Sequence, residues 1–181
     1  TLFTQAYRYA AEPFFFRHAA DEHALQTQAE VTKWFTVAAA VGMLGILLFL
    51  DVVKYFIGGK FHGGLDVVPV LLMANLLLGM YYNFSVWYRL KDRTQLGAWI
   101  SLAGAGITIL LNVLWIPRYG YVGASWVTLI CYAFMSWATW WTGKKHYPVP
   151  YPLGRMGLYV AAVLLLFAVS EWLEAALGGQ R

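Results

Sequence analysis

Five stretches of the chain carry no charged residue: Trp34 to Leu50, Val67 to Tyr88, Thr94 to Pro117, Tyr119 to Gly143 and Met156 to Ser170. A hydrocarbon core of about 30 Å takes about 20 residues of helix at about 1.5 Å each. The second, third and fourth stretches meet that length by themselves. The first meets it by running on to Ile57, past Asp51 and Lys54, which sit three apart and can pair near the interface. The last meets it by continuing through Glu171 and Glu174 towards Leu177. A membrane barrel is excluded by pattern. Its strands run about 10 residues and alternate polar with apolar, whereas Leu71–Leu72–Met73 and Leu164–Leu165–Leu166–Phe167 do not alternate.

Composition agrees with these spans. Hydrophobic residues make up 60% and charged residues 12% of the 181, against about 45–50% and about 25% in soluble domains. The surface of a water-soluble globule this size needs more charge. Disorder, a collagen-like fibre and a disulfide scaffold are excluded as well. The expectation is an all-α membrane protein, one polytopic bundle over residues 1–181 with about six transmembrane helices. They are placed near 1–16, 34–57, 67–88, 96–117, 119–142 and 156–177. The opening segment is shorter and carries Arg8 and Glu12. The chain begins at Thr1 inside that segment, without Met or a signal-peptide pattern, and reads as a piece of a longer protein.

Orientation follows from the basic residues of the short loops. The first loop carries two, Arg17 and Lys33. Three more are Arg89, Lys91 and Arg93, and another three are Lys144, Lys145 and Arg155. The alternate side has Lys54, Lys60, Arg118 and Arg181. Eight against four puts the first group in the cytoplasm of a multi-pass inner-membrane protein. The net charge of +4 is then a topology signal. Nucleic-acid binding would gather the cations on one face of a folded domain, and here they are dealt out between spans. Aromatic residues sit where interfacial belts belong: Trp34 and Phe35, Trp87 and Tyr88, Trp115 with Tyr119 and Tyr121, and Trp137, Trp140 and Trp141. Small residues at helical spacing, Gly97, Ser101, Gly104 and Ala105, and Ala38 with Gly42, suit close helix packing in lipid. Pro117 is expected to end one helix, with Gly120 and Gly123 opening the next.

Groups able to do covalent chemistry are scarce. Cys131 is alone in mid-span and reads as packing. His18 and His23 stand five apart in a polar loop, off the spacing of a helical metal pair. Gly58–Gly59–Lys60 lacks the rest of a phosphate loop. No catalytic triad order and no HExxH occurs, so neither an enzyme nor a metal or cofactor site is expected. The opening segment is the exception. Arg8 and Glu12 are four apart on one helix face, just before Pro13. An ionisable residue at membrane depth faces a bundle interior or an aqueous cavity by default; a structural pair holding two helices is the alternative. Tyr7 and Tyr9 flank Arg8. Asn75, Asn83 and Asn112 read as interhelical hydrogen-bonding residues.

One resemblance covers nearly the whole chain. It rests on Tyr-Arg-Tyr-Ala-Ala-Glu-Pro-Phe-Phe-Phe at 7–16, Val-Val-Pro-Val-Leu-Leu at 67–72 and Asn-Phe-Ser-Val-Trp-Tyr-Arg-Leu-Lys-Asp-Arg-Thr at 83–94. Leu-Asn-Val-Leu-Trp-Ile-Pro-Arg-Tyr-Gly-Tyr-Val-Gly-Ala-Ser at 111–125 and Lys-Lys-His-Tyr-Pro at 144–148 complete it. The sequence resembles the C-terminal half of a Wzx-type polysaccharide or oligosaccharide flippase of the multidrug/oligosaccharidyl-lipid/polysaccharide (MOP, MATE-like) exporter superfamily. That resemblance implies two bundles around a central cavity, the N-terminal one being absent from this chain. It implies an undecaprenyl-pyrophosphate-linked oligosaccharide as cargo for cell-surface polysaccharide such as O-antigen, and possible coupling to a cation. It implies Arg8 at the pyrophosphate, Glu12 holding Arg8 or binding the cation, and Tyr7 and Tyr9 along the path. A multidrug or lipid II exporter of the same superfamily is the nearest rival reading. A membrane glycan polymerase or ligase is the enzyme rival, and the outer loop near Gly58 to Asp66 is short for one.

Overall fold

A computed structural model describes residues 2–18, 21, 23–50, 55 and 59–178; the side chains of 2, 3, 12, 59–62, 171 and 174–178 lie outside the description. Every described element is helical. The order is α1 (Leu2–Arg17), α2 (Ala24–Leu48), a 3-10 segment (Gly59–Val67), α3 (Val68–Phe84), α4 (Val86–Leu90), α5 (Thr94–His146) and α6 (Leu153–Gly178). Four stretches are long and apolar enough to cross a bilayer: Ala24–Leu48, Gly63–Leu90, Thr94–His146 and Leu153–Ser170. The expected pairing of Asp51 with Lys54, and the side chains of Glu12, Glu171 and Glu174, fall outside the described residues.

Helix α5 is two helices in one. Its 53 residues would be about 80 Å long if straight. At Gly120 the backbone turns to φ 56°, ψ −136°, a region that side-chain-bearing residues avoid. The arms 94–119 and 121–146 fold back on each other there. Cys131 Sγ lies 3.4 Å from the Gly104 carbonyl, and Gly104 faces Met135. Each arm is then about 39 Å, long enough for one bilayer crossing. Pro117 lies inside the first arm, so the break falls three residues beyond the expected helix end. Glycine, not proline, sets it, because only the glycine φ/ψ reverses the chain.

Helix α3 packs mainly on the α5 hairpin, and α2 packs on α3 and α6. Close approach is set by small residues. Gly79 meets the Phe35 ring so tightly that a Cβ there would overlap it, and Gly97 meets the ring of Tyr88. The outer surface is apolar: Trp99, Leu102, Ile109, Leu110, Leu158 and Leu165 are all exposed. Such a surface matches lipid rather than water.

Two differences from the sequence reading have clear physical reasons. Helix α2 begins at Ala24, ten residues before the apolar run at Trp34. The intervening stretch is polar, but one face of it packs inward: Gln28 and Thr32 are buried, and Thr36 one turn on continues that face, while Gln26 and Glu30 stay exposed. Trp87 and Tyr88 do not face lipid as a belt. Trp87 is 2% exposed, donates its indole N–H to the Thr139 carbonyl at 3.3 Å, and stacks on His146. Trp34, by contrast, is 63% exposed.

Candidate functional site

The basic segments gather at one end of the bundle. There Lys91 Nζ sits 5.6 Å from the centroid of the Tyr147 ring and Trp87 packs against Gly143. At the other end the hairpin tip lies beside the 3-10 segment, joined by a 2.8 Å hydrogen bond from Tyr121 OH to the Gly63 carbonyl.

Near the basic end a buried polar network ties α1, α2, α3 and the loop before α6. Tyr7 OH donates to Asn83 Oδ1 at 2.5 Å. Asn83 Nδ2 donates to the Gly79 carbonyl at 3.0 Å. Thr32 Oγ1 donates to the Gln28 carbonyl at 2.8 Å and approaches Asn83 Oδ1 at 3.5 Å. The Gln28 amide donates to Tyr151 OH at 3.0 Å and to the Asn83 backbone carbonyl at 3.3 Å. Burial raises the Tyr151 phenol above its ordinary range, the Gln28 hydrogen bond offsetting part of that; Tyr151 therefore serves as a neutral partner. Groups buried away from water need partners within the protein, and each of these bonds fixes a helix position.

Arg8 lies beside this network on α1, half-buried. Its guanidinium stands 5.1 Å from the centroid of the Tyr82 ring and 5.5 Å from that of Tyr9. Cation–π contact of this kind is stronger where water is excluded. Tyr9 points outward at 70% exposure, so Tyr7 and Tyr9 diverge, one into the packing and one away from it. Glu12 lies one turn beyond Arg8 in the same helix. One turn the other way, Thr4 borders an apolar groove of about 390 Å³ with Phe35, Ala38, Gly42, Leu72 and Asn75 along its walls.

The three asparagines differ in role. Asn83 is the hub described above. Asn75 donates within its own helix to the Leu71 carbonyl at 2.8 Å. Asn112 Oδ1 is buried without a hydrogen-bond partner among the described residues. Sequence reasoning named Tyr7 and Asn83 but missed Gln28, Thr32 and Tyr151. The i,i+4 spacing of Gln28, Thr32 and Thr36, continuing the buried face of Ala40, is the signal for the first two. Nothing local marks Tyr151, which reaches the network across 123 residues of chain.

No family model, no curated protein and no solved structure matches this chain.

Proposed function

We propose that the chain is the C-terminal bundle of an inner-membrane exporter that flips a lipid-linked oligosaccharide of the undecaprenyl-pyrophosphate type, with about six crossings and no covalent catalysis. The sequence resemblance at 7–16 and 111–125 supports this reading. The observation that carries it is the placement of Arg8, a guanidinium held half-buried against the rings of Tyr82 and Tyr9. A pyrophosphate cannot enter hydrocarbon uncovered, because an unpaired buried charge is very costly. A planar guanidinium grips two phosphate oxygens at once and lowers that cost. Aromatic rings behind the guanidinium keep it from folding away. In this reading Arg8 meets the pyrophosphate, Glu12 positions Arg8 or takes a coupling cation, and exposed Tyr9 offers its ring and hydroxyl to the sugars. Tyr7 acts indirectly, by fixing α1 on α3 through Asn83. A second bundle, as the resemblance implies, closes the other side of the cavity.

The test is complementation of a flippase-deficient strain by the full-length protein, with abundance measured alongside. Arg8→Ala should abolish surface polysaccharide at normal abundance, and Arg8→Lys should restore only part. If the pair is structural, Arg8→Ala lowers abundance, and Arg8→Ala with Glu12→Gln recovers both abundance and export. Full export by Arg8→Ala at normal abundance removes Arg8 from the mechanism.

A further inference from the structure

The end of the bundle away from the basic segments holds a groove that the polar network and Arg8 do not use. Both arms of the α5 hairpin build it around the Gly120 break, and its volume is about 730 Å³. Val113 and Leu114 from one arm and Val122 and Trp126 from the other form exposed apolar walls. Trp115 and Tyr119 stand edge to face at one side, centroids 6.1 Å apart. Arg118 lines the groove at the tip. Asp66, in the neighbouring 3-10 segment, makes no ion pair with it; the described ion pair of this chain is Lys33 with Glu30, at the other end.

Three features converge on one kind of occupant. The walls are open and apolar, in a hairpin whose arms each match one bilayer crossing, so hydrocarbon chains reach them directly. Trp115, Tyr119 and Trp126 put amphipathic rings where a headgroup region meets the core. Among the described residues no carboxylate pairs with Arg118, and such a guanidinium attracts an anion and repels the ammonium of a zwitterionic headgroup. The size agrees: a cavity of about 150 Å³ takes one benzene, so this groove holds on the order of five such rings. That is the bulk of a headgroup with the upper part of its chains.

We propose that this groove is a site for an anionic glycerophospholipid of the leaflet at the hairpin tip. The phosphodiester meets Arg118, and a chain lies over Val113, Leu114 and Val122. The bound lipid seals the cleft between the arms where the backbone breaks at Gly120. The proposal rests on the membrane placement of α5 and is independent of the exporter reading.

Brominated lipids, which quench tryptophan on contact, test it in the full-length protein in nanodiscs. Brominated phosphatidylglycerol and brominated phosphatidylcholine are compared at equal mole fraction. A variant with Trp115→Phe and Trp126→Phe gives the contribution of the other tryptophans. The Trp115 and Trp126 signal should show about a fivefold preference for phosphatidylglycerol, the effect of one Arg at a lipid surface. Arg118→Gln should bring that preference to parity and Arg118→Lys should keep part of it. Val122→Phe, which fills the groove, should reduce quenching by both lipids. Equal quenching by both lipids in the unaltered protein, or an undiminished preference in Arg118→Gln, overturns the site. So does an absence of quenching by either lipid, which would mean that another protein surface covers the groove.

Discussion

Replacing the Tyr7 hydroxyl by hydrogen isolates the bond that docks α1 on α3. Tyr7→Phe keeps the ring, and with it the packing on Phe35 at 4.3 Å between centroids. What is lost is the 2.5 Å bond to Asn83 Oδ1. The remaining approach to that oxygen, Thr32 at 3.5 Å, is at the limit of a hydrogen bond, and Thr32 already has a better acceptor in the Gln28 carbonyl at 2.8 Å. Asn83 is 1% exposed, so water does not replace the lost donor. Interhelical hydrogen bonds in membranes average about 0.6 kcal/mol and reach about 1.7, while orphaning a buried acceptor costs about 1–3 kcal/mol. Short geometry and the burial of Asn83 place this bond in the upper part of the first range, near 1 kcal/mol. That is about a fivefold change in the unfolding equilibrium. Asn83→Leu is the partner substitution, similar in shape and without the acceptor. In a double-mutant cycle followed by denaturation in detergent or by steric trapping, Tyr7→Phe and Asn83→Leu should couple by about 1 kcal/mol. The double variant should be more stable than the sum of the single losses implies, because both polar partners have gone together. Coupling within the additivity scatter of about 0.3–0.5 kcal/mol would refute the claim that this bond docks α1.

Two further substitutions probe the fold where it departs from the sequence reading. Trp87→Ala should destabilise by about 3–5 kcal/mol, as large-to-small changes in cores do, while Trp34→Ala stays within about 0.5 kcal/mol; similar effects at both would return Trp87 to the surface belt. Gly120→Ala puts a side chain at φ 56°, ψ −136° and should cost about 1–3 kcal/mol, read as a lower thermal midpoint of the purified protein, and an unchanged midpoint would mean that the hairpin turns elsewhere.

Helices long and apolar enough to cross a bilayer were legible because they are written in runs: hydrocarbon demands about 20 apolar residues in a row, and the described helices carry such runs. Where helices begin was less legible. The segment 24–33 looks like a loop when polarity is read as exposure, yet Gln28 and Thr32 satisfy one another and Asn83 inside the bundle. Trp87 shows the same limit from the other side. An indole near the end of a span suits an interface equally well as a core, and only the distant Thr139 carbonyl and Gly143 decide. The break at 120 was visible as a glycine after a proline, but which of the two reverses the chain depends on backbone angles that the sequence does not print. At the candidate site, Arg8 stood out by its charge alone. Tyr82, the ring nearest its guanidinium, was hidden among many aromatics of an apolar span.

The central claim is a bundle that crosses the membrane with its basic segments at one end and the hairpin tip at the other. Single cysteines at Asp92 and at Gly63, in a Cys131→Ala background of the full-length protein, test it most directly. Asp92 lies in the basic turn after α4, and Gly63 is held against Tyr121 at the tip. An impermeant thiol reagent applied to intact cells should label Gly63→Cys and leave Asp92→Cys unlabelled until the cells are opened. Equal labelling of both positions in intact cells would contradict the account.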